Sequence, residues 1–268
     1  MYHDVVDGDP SASGFLGAGP DHYKVRSTRF ETHLDAIEAS GLSPSIVGNG
    51  TGDGSVLLTF DDGGSSATET APMLERRGWR GHFFVPTDLI GTKGFLSSKE
   101  IVALYRAGHV IGSHACTHRP LPKLSDAEVL REWSESRAKL EGLLGAPVTV
   151  ASVPTGRYSA RIGRLAAEAG YEHLFTCEPW LEPRRIDSMQ LWGRYPVYAG
   201  TSADRVLAYC SLSRPTLWWV AGGWYVRKAA KAVLGPVYDP IRGQMLARGW
   251  HTLLLQLGVA GAGQIDCL

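Results

Sequence analysis

Short apolar runs alternate with longer amphipathic stretches through the middle of the chain. The runs have the length of buried strands, and the stretches repeat apolar residues every three to four positions, as helices do. The predicted strands are Val56–Phe60, His82–Val85, Val110–Ser113, Val148–Val153 and His173–Cys177. The predicted helices are Phe30–Gly41, Ala67–Arg77, Ser97–Ala107, Ser125–Leu144 and Ser159–Ala169. This alternation predicts a parallel sheet whose strands are joined by right-handed helical crossovers.

Five strand–helix units in succession favour a closed or nearly closed barrel, although an open doubly wound sheet also fits the pattern. The helix after Ser125 is expected to begin with a capping box, because Glu128 lies three residues further on. Residues 7–22 are rich in Gly, Ser, Asp and Pro and are predicted to be a loop. The opening residues Met1–Val5 have the pattern of the end of a strand, so the natural domain is expected to start slightly earlier.

The pattern changes after residue 200. Ala203–Ser211 is predicted to be helical, and residues 217–231 interleave aromatic with basic residues. Residues 237–248 keep a helical period, and residues 251–258 have the pattern of a strand. We expect residues 1–210 to form the barrel and residues 211–268 to form a C-terminal helical extension packed on it. A peripheral contact of residues 217–231 with a membrane surface is the alternative.

Composition and charge narrow the function classes. The chain has 27 basic and 27 acidic residues, so no net charge attracts it to nucleic acid. Its four cysteines form no C-x-x-C pair, which favours free thiols over a disulfide framework. The sequence as given has neither a secretory signal nor a run of about 18 apolar residues. A location in the cytoplasm or at the inner face of the membrane is therefore expected.

Two groups of polar residues follow predicted strands and carry the candidate chemistry. Asp61 and Asp62 come directly after Val56–Phe60, and His114 and His118 come after Val110–Ser113. The carboxyl ends of parallel strands meet at one face of a barrel, where α/β barrels place their active sites. Two imidazoles and one carboxylate suffice to hold a catalytic divalent metal with an open position. One of the two carboxylates then remains as a base, and the set predicts metal-assisted hydrolysis.

These motifs resemble those of a known family. Thr59-Phe60-Asp61-Asp62-Gly63, followed by Gly112-Ser113-His114-x-x-Thr117-His118, is similar to the NodB-homology polysaccharide deacetylases, carbohydrate esterase family four. The resemblance covers roughly residues 55–180. It implies a distorted, TIM-like (β/α) barrel that hydrolyses an N-acetyl, or less often an O-acetyl, group on a sugar. It also implies that Asp62, His114 and His118 are the metal ligands and Asp61 the catalytic base.

The resemblance also implies a cofactor and a substrate groove. Zinc suits one carboxylate and two imidazoles, although cobalt or nickel can replace it in such a ligand set. Residues 153–158 lie where the family carries its third motif, and Arg157 is the candidate for that motif's arginine. The candidate substrate-binding residues are Pro154, Arg157, Tyr158 and Trp180.

The chain departs from the family pattern in two places. Ala115 stands where members commonly have Ser or Thr, and losing that hydroxyl's hydrogen bond costs about 1 kcal/mol. The late Leu-x-His motif, whose His protonates the departing amine, is missing, because residues 253–257 read Leu-Leu-Leu-Gln-Leu. His3 is the preferred replacement, since a first strand would open onto the same barrel face. The other candidates are His22, His33, His82, His109, His173 and His251.

Three functions fit these observations. The leading one is a metal-dependent deacetylase that acts on an acetylated amino-sugar glycan or its precursor. A second is a deformylase or deacetylase of a lipid-linked sugar at the membrane surface, in keeping with residues 217–231. A third is a metal-dependent carbohydrate-binding protein that has lost turnover, in keeping with the missing Leu-x-His motif.

Overall fold

The structure is a computed structural model, and it describes residues 1–48, 56–180 and 182–234. The strands are β1 (Val5–Val6), β2 (Val25–Arg26), β3 (Pro44–Ser45), β4 (Val56–Leu57), β5 (Thr59–Phe60), β6 (His82–Val85), β7 (Val110–Ser113), β8 (Val150–Ser152), β9 (His173–Phe175), β10 (Arg184–Ile186) and β11 (Met189–Trp192). The helices are α1 (Ala18–Asp21), α2 (Ser27–Ala39), α3 (Ala67–Glu75), α4 (Ser98–Arg106), α5 (Asp126–Leu144), α6 (Ala160–Glu168), α7 (Ala203–Cys210) and α8 (Arg214–Leu234).

One curled sheet organises the fold. Its seven strands lie in the order β10-β11-β9-β8-β7-β6-β5, and all neighbours are parallel except the β10–β11 hairpin. Helices α3 to α6 form the crossovers between successive strands from β5 to β9. The sheet curls into a half-barrel, so the carboxyl ends of β5 and β7 face the same region.

The predicted strand–helix units are present with small shifts at their ends. Strands β6 and β7 have the predicted bounds, and the strand predicted over Val56–Phe60 is interrupted at Leu58. Helix α5 begins with the predicted capping box, in which Ser125 and Glu128 each bond the other's backbone N–H. The β10–β11 hairpin was not predicted, because its strands have only three and four residues.

The N-terminal residues run beside β5. The N–H of Tyr2 donates to the carbonyl of Thr59 at 2.7 Å, and the N–H of Asp61 donates to the carbonyl of Tyr2 at 3.0 Å. On the other side, the N–H of Val197 donates to the carbonyl of Met1 at 2.9 Å. The first residues therefore join the end of β5 to the chain that follows β11, and they bring His3 to the face where Asp61 lies.

The apolar core lies between the sheet and its helices, with Phe83, Trp133 and Leu174 among its buried members. Helix α7 packs against α2, and Leu217 of α8 is buried. Within the described residues, none of the helices combines the length and apolarity that crossing a membrane needs. The predicted helix at 237–248 and the predicted strand at 251–258, with His251, lie outside the described residues. The division at residue 210 into barrel and extension stays a prediction.

Candidate active site

Asp61 and Asp62 leave the end of β5 in different directions. Asp61 is bonded through its backbone to Tyr2, whereas Asp62 has a φ of 72°, in the left-handed region that few residues other than glycine adopt. The chain therefore turns between the two side chains. Both carboxylates are buried, with 3% and 9% of the residue exposed. They can take different roles, as the sequence predicted.

Asp62, His114 and His118 meet at one point. The Oδ1 atom of Asp62 lies 3.3 Å from Nε2 of His114 and 3.1 Å from Nε2 of His118. The possible ligand atoms of the three residues all lie within 4.8 Å of one another. One carboxylate oxygen and two imidazole nitrogens are the ligand types that zinc and similar divalent ions take. The residues present therefore fit a divalent metal.

The contacts of His114 support this fit. Its Nδ1 atom lies 3.1 Å from the carbonyl oxygen of Ser152, which only accepts hydrogen bonds. Donation from Nδ1 to this carbonyl leaves Nε2, the ring nitrogen that lies nearer to Asp62, as the atom that would ligate a metal ion. The hydroxyl of Ser152 lies 2.5 Å from the same Nδ1 and 3.3 Å from Oδ1 of Asp61. Ser152 thus joins His114 to the second aspartate.

Asp61 is paired with Arg194. The Nη1 atom of Arg194 donates to Oδ1 at 2.7 Å, and Nη2 donates to Oδ2 at 2.8 Å. The Nε atom donates to the carbonyl of Thr176 at 2.8 Å, which fixes the guanidinium plane. This buried, bidentate pair has the geometry that guanidinium and carboxylate groups favour. Asp61 is therefore not part of the group of three, and it remains beside it as an anion.

The charges set the protonation of both aspartates. Burial by itself would raise the pKa of Asp61, but the positive charge of Arg194 outweighs burial and lowers it. Burial opposes ionisation of Asp62 too, and hydrogen bonds from His114 and His118 hold the pKa of that carboxyl well below its ordinary value. Both side chains are thus carboxylates at neutral pH.

A cavity of about 720 Å³ opens over these residues. Its wall includes both aspartates and both histidines, together with His3. The Nδ1 atom of His3 is buried and has no hydrogen-bond partner among the described residues. Burial lowers the pKa of His3, while the charges of Asp62 and Asp61 oppose that shift. A buried polar atom without a partner is uncommon in native proteins and calls for an explanation, of which a catalytic role is one.

The predicted substrate-binding residues divide into two pairs. Arg157 and Tyr158 line the cavity. Pro154 is buried, and neither it nor Trp180 belongs to the described part of the lining. The guanidinium carbon of Arg184 lies 4.2 Å from the ring centroid of Trp180. One face of that indole is therefore covered by this chain's own arginine.

Several residues at the site were not found from the sequence. Arg194, which pairs with Asp61, was not predicted, because it follows a short strand that gives no pattern. Phe15 packs on His118 with ring centroids 4.6 Å apart, from a segment predicted only as a loop. Glu132 bonds the loop between the two histidines. The sequence contains a sign of this role, because Glu132 is a carboxylate beside the apolar stripe of α5.

Comparison with known proteins agrees with the motif pattern. Residues 48–174 match the family model described as polysaccharide deacetylase. This part of the chain, a little under half of it, is thus similar to polysaccharide deacetylases. The resemblance seen in the two motifs is thereby confirmed, and all three members of the metal-binding group lie inside the matched residues. His3 and Arg194 lie outside them.

Two curated relatives align with part of the chain. The chain is 29% identical over 137 residues to a chitin deacetylase of Arthroderma benhamiae, which covers 47% of this chain and 34% of that protein. It is 27% identical over 103 residues to a peptidoglycan-N-acetylmuramic acid deacetylase of Bacillus subtilis, which covers 38% of this chain and 21% of that protein. The chain thus spans about a third or less of each relative.

Among solved structures, a polysaccharide deacetylase from Bacillus cereus superposes with a TM-score of 0.68. The match covers 78% of this chain and 67% of that chain at 20% identity. Because the identity is low, this similarity concerns the fold. The predicted distorted (β/α) barrel is confirmed.

Proposed function

We propose that the protein is a metal-dependent hydrolase that removes an acetyl group from an amino sugar in a glycan or glycan precursor. The observation that carries the proposal is one cavity that holds both a group of three ligands and a separate, ionised carboxylate. The curated relatives named for chitin and for peptidoglycan N-acetylmuramic acid support an acetylated amino sugar as substrate. Arg157 and Tyr158, on the cavity wall, are proposed to contact that sugar.

Asp62, His114 and His118 would hold the metal, and zinc is the ion proposed. A divalent ion bound there would act as a Lewis acid that polarises the acyl oxygen and lowers the pKa of water. Such help is needed, because the low pKa of Asp61 makes that carboxylate a weak base.

Asp61 is proposed to take the proton from the attacking water. Oδ1 already accepts from Arg194 and, at 3.3 Å, from Ser152, whereas Oδ2 accepts only from Arg194 among the described residues. A carboxylate oxygen has two lone pairs, so Oδ2 keeps one to receive the proton. Arg194 holds both oxygens in place and so fixes the direction of that lone pair.

His3 is proposed to protonate the departing amine. Its imidazole lies on the cavity wall with Asp61, and it comes from a different part of the chain. An amide nitrogen leaves as an amine only when it gains a proton, so a second group is needed beside the base. His3 supplies a titratable ring at this cavity, although residues 253–257 contain no histidine.

The test is release of acetate from N-acetylated chitin oligosaccharides and peptidoglycan fragments by the zinc-loaded full chain. Asp61→Asn should lower kcat by about 100-fold or more, since it removes the base. Asp187→Asn is the matched control, because Asp187 lies exposed in the β10–β11 turn and its positive φ suits asparagine. Absence of acetate release, with Asp61→Asn equal to wild type, would overturn the proposal. Glycan binding without release would favour the carbohydrate-binding function.

A second candidate substrate is a lipid-linked sugar at a membrane surface. Helix α8 exposes Trp218 and Tyr225, which are 75% and 52% accessible, and its Trp224 lines the cavity. Exposed aromatic rings favour the interface of a bilayer. Binding of the full chain to vesicles of anionic lipid, lost on Trp218→Ser, would support this candidate. A location in the cytoplasm or at the inner membrane face is proposed with it.

A further inference from the structure

The loop that joins the two metal-ligating histidines has an unfavourable backbone. Ala115 and His118 both have a φ of 59°, in the left-handed region. Neither residue is glycine, so each pays a steric cost there, which the surrounding structure must offset. The loop is therefore held in this shape by contacts from elsewhere in the chain.

The N–H groups of Thr87 and Asp88 donate to the carbonyls of Ala115 and Cys116, at 3.1 Å and 3.0 Å. The side-chain contacts of the loop's own N–H groups come from Glu132 on helix α5. One carboxylate oxygen, Oε2, accepts the N–H groups of Cys116 and Thr117, both at 2.9 Å. The other oxygen, Oε1, accepts the Thr117 hydroxyl at 2.5 Å. Two successive N–H groups that converge on one oxygen form an anion-binding concavity, and Glu132 fills it. The bonded residues lie between the two strained positions.

Helix α5 also secures the start of the loop. The N–H of Ala115 donates to the hydroxyl of Ser113 at 3.0 Å, and that hydroxyl lies 2.7 Å from the hydroxyl of Ser136. Glu132 and Ser136 are four residues apart, so they lie on the same face of the helix. This face is buried, and Glu132 itself is only 5% exposed. Helix α5 thus bonds the loop at its start and at its two middle residues.

We propose that Glu132 is a positioning residue that sets the metal affinity by fixing His118 relative to His114. It contacts neither imidazole, so it acts through the backbone of the loop. Two ring nitrogens can share one ion only when both lie at its ligand distance, and relaxation of either left-handed residue would move His118. This inference rests on the proposed function, because it takes the group of three residues to be a metal site.

The experiment measures zinc affinity of the full chain by competition with a chromophoric chelator. Glu132→Ala should weaken binding by about 10- to 100-fold, the range found when groups that orient metal ligands are removed. Glu132→Gln should stay within about threefold of wild type, because its amide oxygen can accept both N–H groups and its NH₂ can donate to Thr117. Glu168→Gln, at an exposed position of helix α6, is the matched control and should leave affinity unchanged.

A second readout separates positioning from general stability. The visible absorption spectrum of bound Co²⁺ reports ligand geometry, so it should change in Glu132→Ala while far-UV circular dichroism stays as in wild type. If Glu132→Ala does not fold, Thr117→Val removes one of the three hydrogen bonds with little change in shape. It should then weaken zinc binding by about two- to fivefold, as loss of one hydrogen bond implies.

The outcomes distinguish this inference from the function beneath it. Wild-type zinc affinity and an unchanged Co²⁺ spectrum in Glu132→Ala would overturn the role of Glu132 alone. If Glu132→Ala does not fold, a wild-type zinc affinity in Thr117→Val would likewise overturn the role of Glu132. Failure of the wild-type chain to bind zinc, with Asp62→Asn no different, would overturn the proposed function and this inference with it.

Discussion

The candidate site has two parts, the group of Asp62, His114 and His118 and the residues around Asp61. The two parts come from different kinds of chain segment. Asp62, His114 and His118 come from the family-matched stretch, each within five residues of the end of β5 or β7. Arg194 and His3 come from the chain on either side of that stretch, and Arg194 is 133 residues from the carboxylate it pairs with. The ligand group is thus encoded by local pattern, whereas the surroundings of Asp61 are assembled from remote segments. Because the two parts come from different segments, we expect the proposed metal binding and the proposed base catalysis to be disturbed separately.

The largest expected effect comes from Arg194. Arg194→Met leaves the Asp61 carboxylate buried without its partner, which should lower the free energy of unfolding by about 3–5 kcal/mol. Urea denaturation of the full chain measures it. Arg194→Lys keeps the charge without the two-pronged geometry and should cost less.

A double variant checks the cause of that loss. Arg194→Met combined with Asp61→Asn contains no unpaired charge, so part of the stability should return. If the double variant is as unstable as Arg194→Met, the loss of stability comes from packing. The pairing of Asp61 with a remote arginine would then not explain the stability of this part of the site.

His3 tests the other remote segment. His3→Gln should lower kcat by about 100-fold or more, because it removes the proposed proton donor, and zinc affinity should stay as in wild type. Steady-state kinetics and chelator competition measure the two effects. His173→Gln is the control, since that ring accepts a hydrogen bond from Trp192 outside the cavity. Wild-type kcat in His3→Gln would assign the proton to another donor.

The local part of the site was predictable because each ligand follows an apolar run. Strands β6 and β7 begin and end where their patterns do, and the polar residues after β5 and β7 stand out against them. Arg194, which was not predicted, has the opposite origin. Arg194 follows a four-residue strand, and no periodic pattern in one sequence relates it to Asp61. Its place is fixed by the β10–β11 hairpin, which is too short to predict.

His3 and Glu132 are intermediate cases of what the sequence allows one to predict. The sequence predicted His3 from a short strand pattern, and the structure places that ring on the same cavity as Asp61. Glu132 was not predicted as a site residue, because the capping box and the apolar residues are enough to predict its helix without it. A carboxylate on the buried face of a helix needs hydrogen-bond donors, and that requirement is the signal that could have found it.

The matched stretch contains a buried histidine that serves as a contrast to His3. His82 has partners for both ring nitrogens, the carbonyl of Leu58 and the N–H of Val47. Burial lowers its pKa to about 4, below the ordinary value of about 6.5. Between those values the unfolded chain binds the proton more readily, so stability is retained above pH 6.5 and is lost as the pH falls toward 4.

We therefore expect His82 to account for about 2 kcal/mol of lost stability at pH 5 relative to pH 7.5. His82→Gln should show a smaller difference between urea denaturations at these two pH values than wild type does. Its zinc affinity should be unchanged, because His82 does not line the cavity. An unchanged difference would show that other groups cause the acid sensitivity.

The smallest effect is expected at Ser152, whose hydroxyl lies near both His114 and Asp61. Ser152→Ala removes the hydroxyl near Asp61 and His114, but the backbone carbonyl that accepts from Nδ1 of His114 remains. The histidine should therefore keep its tautomer, and kcat/KM should fall only about fivefold, near 1 kcal/mol. Ser134→Ala, on the exposed side of α5, is the control. A loss of zinc affinity as large as that of Glu132→Ala would mean that the hydroxyl, and not the backbone, orients His114.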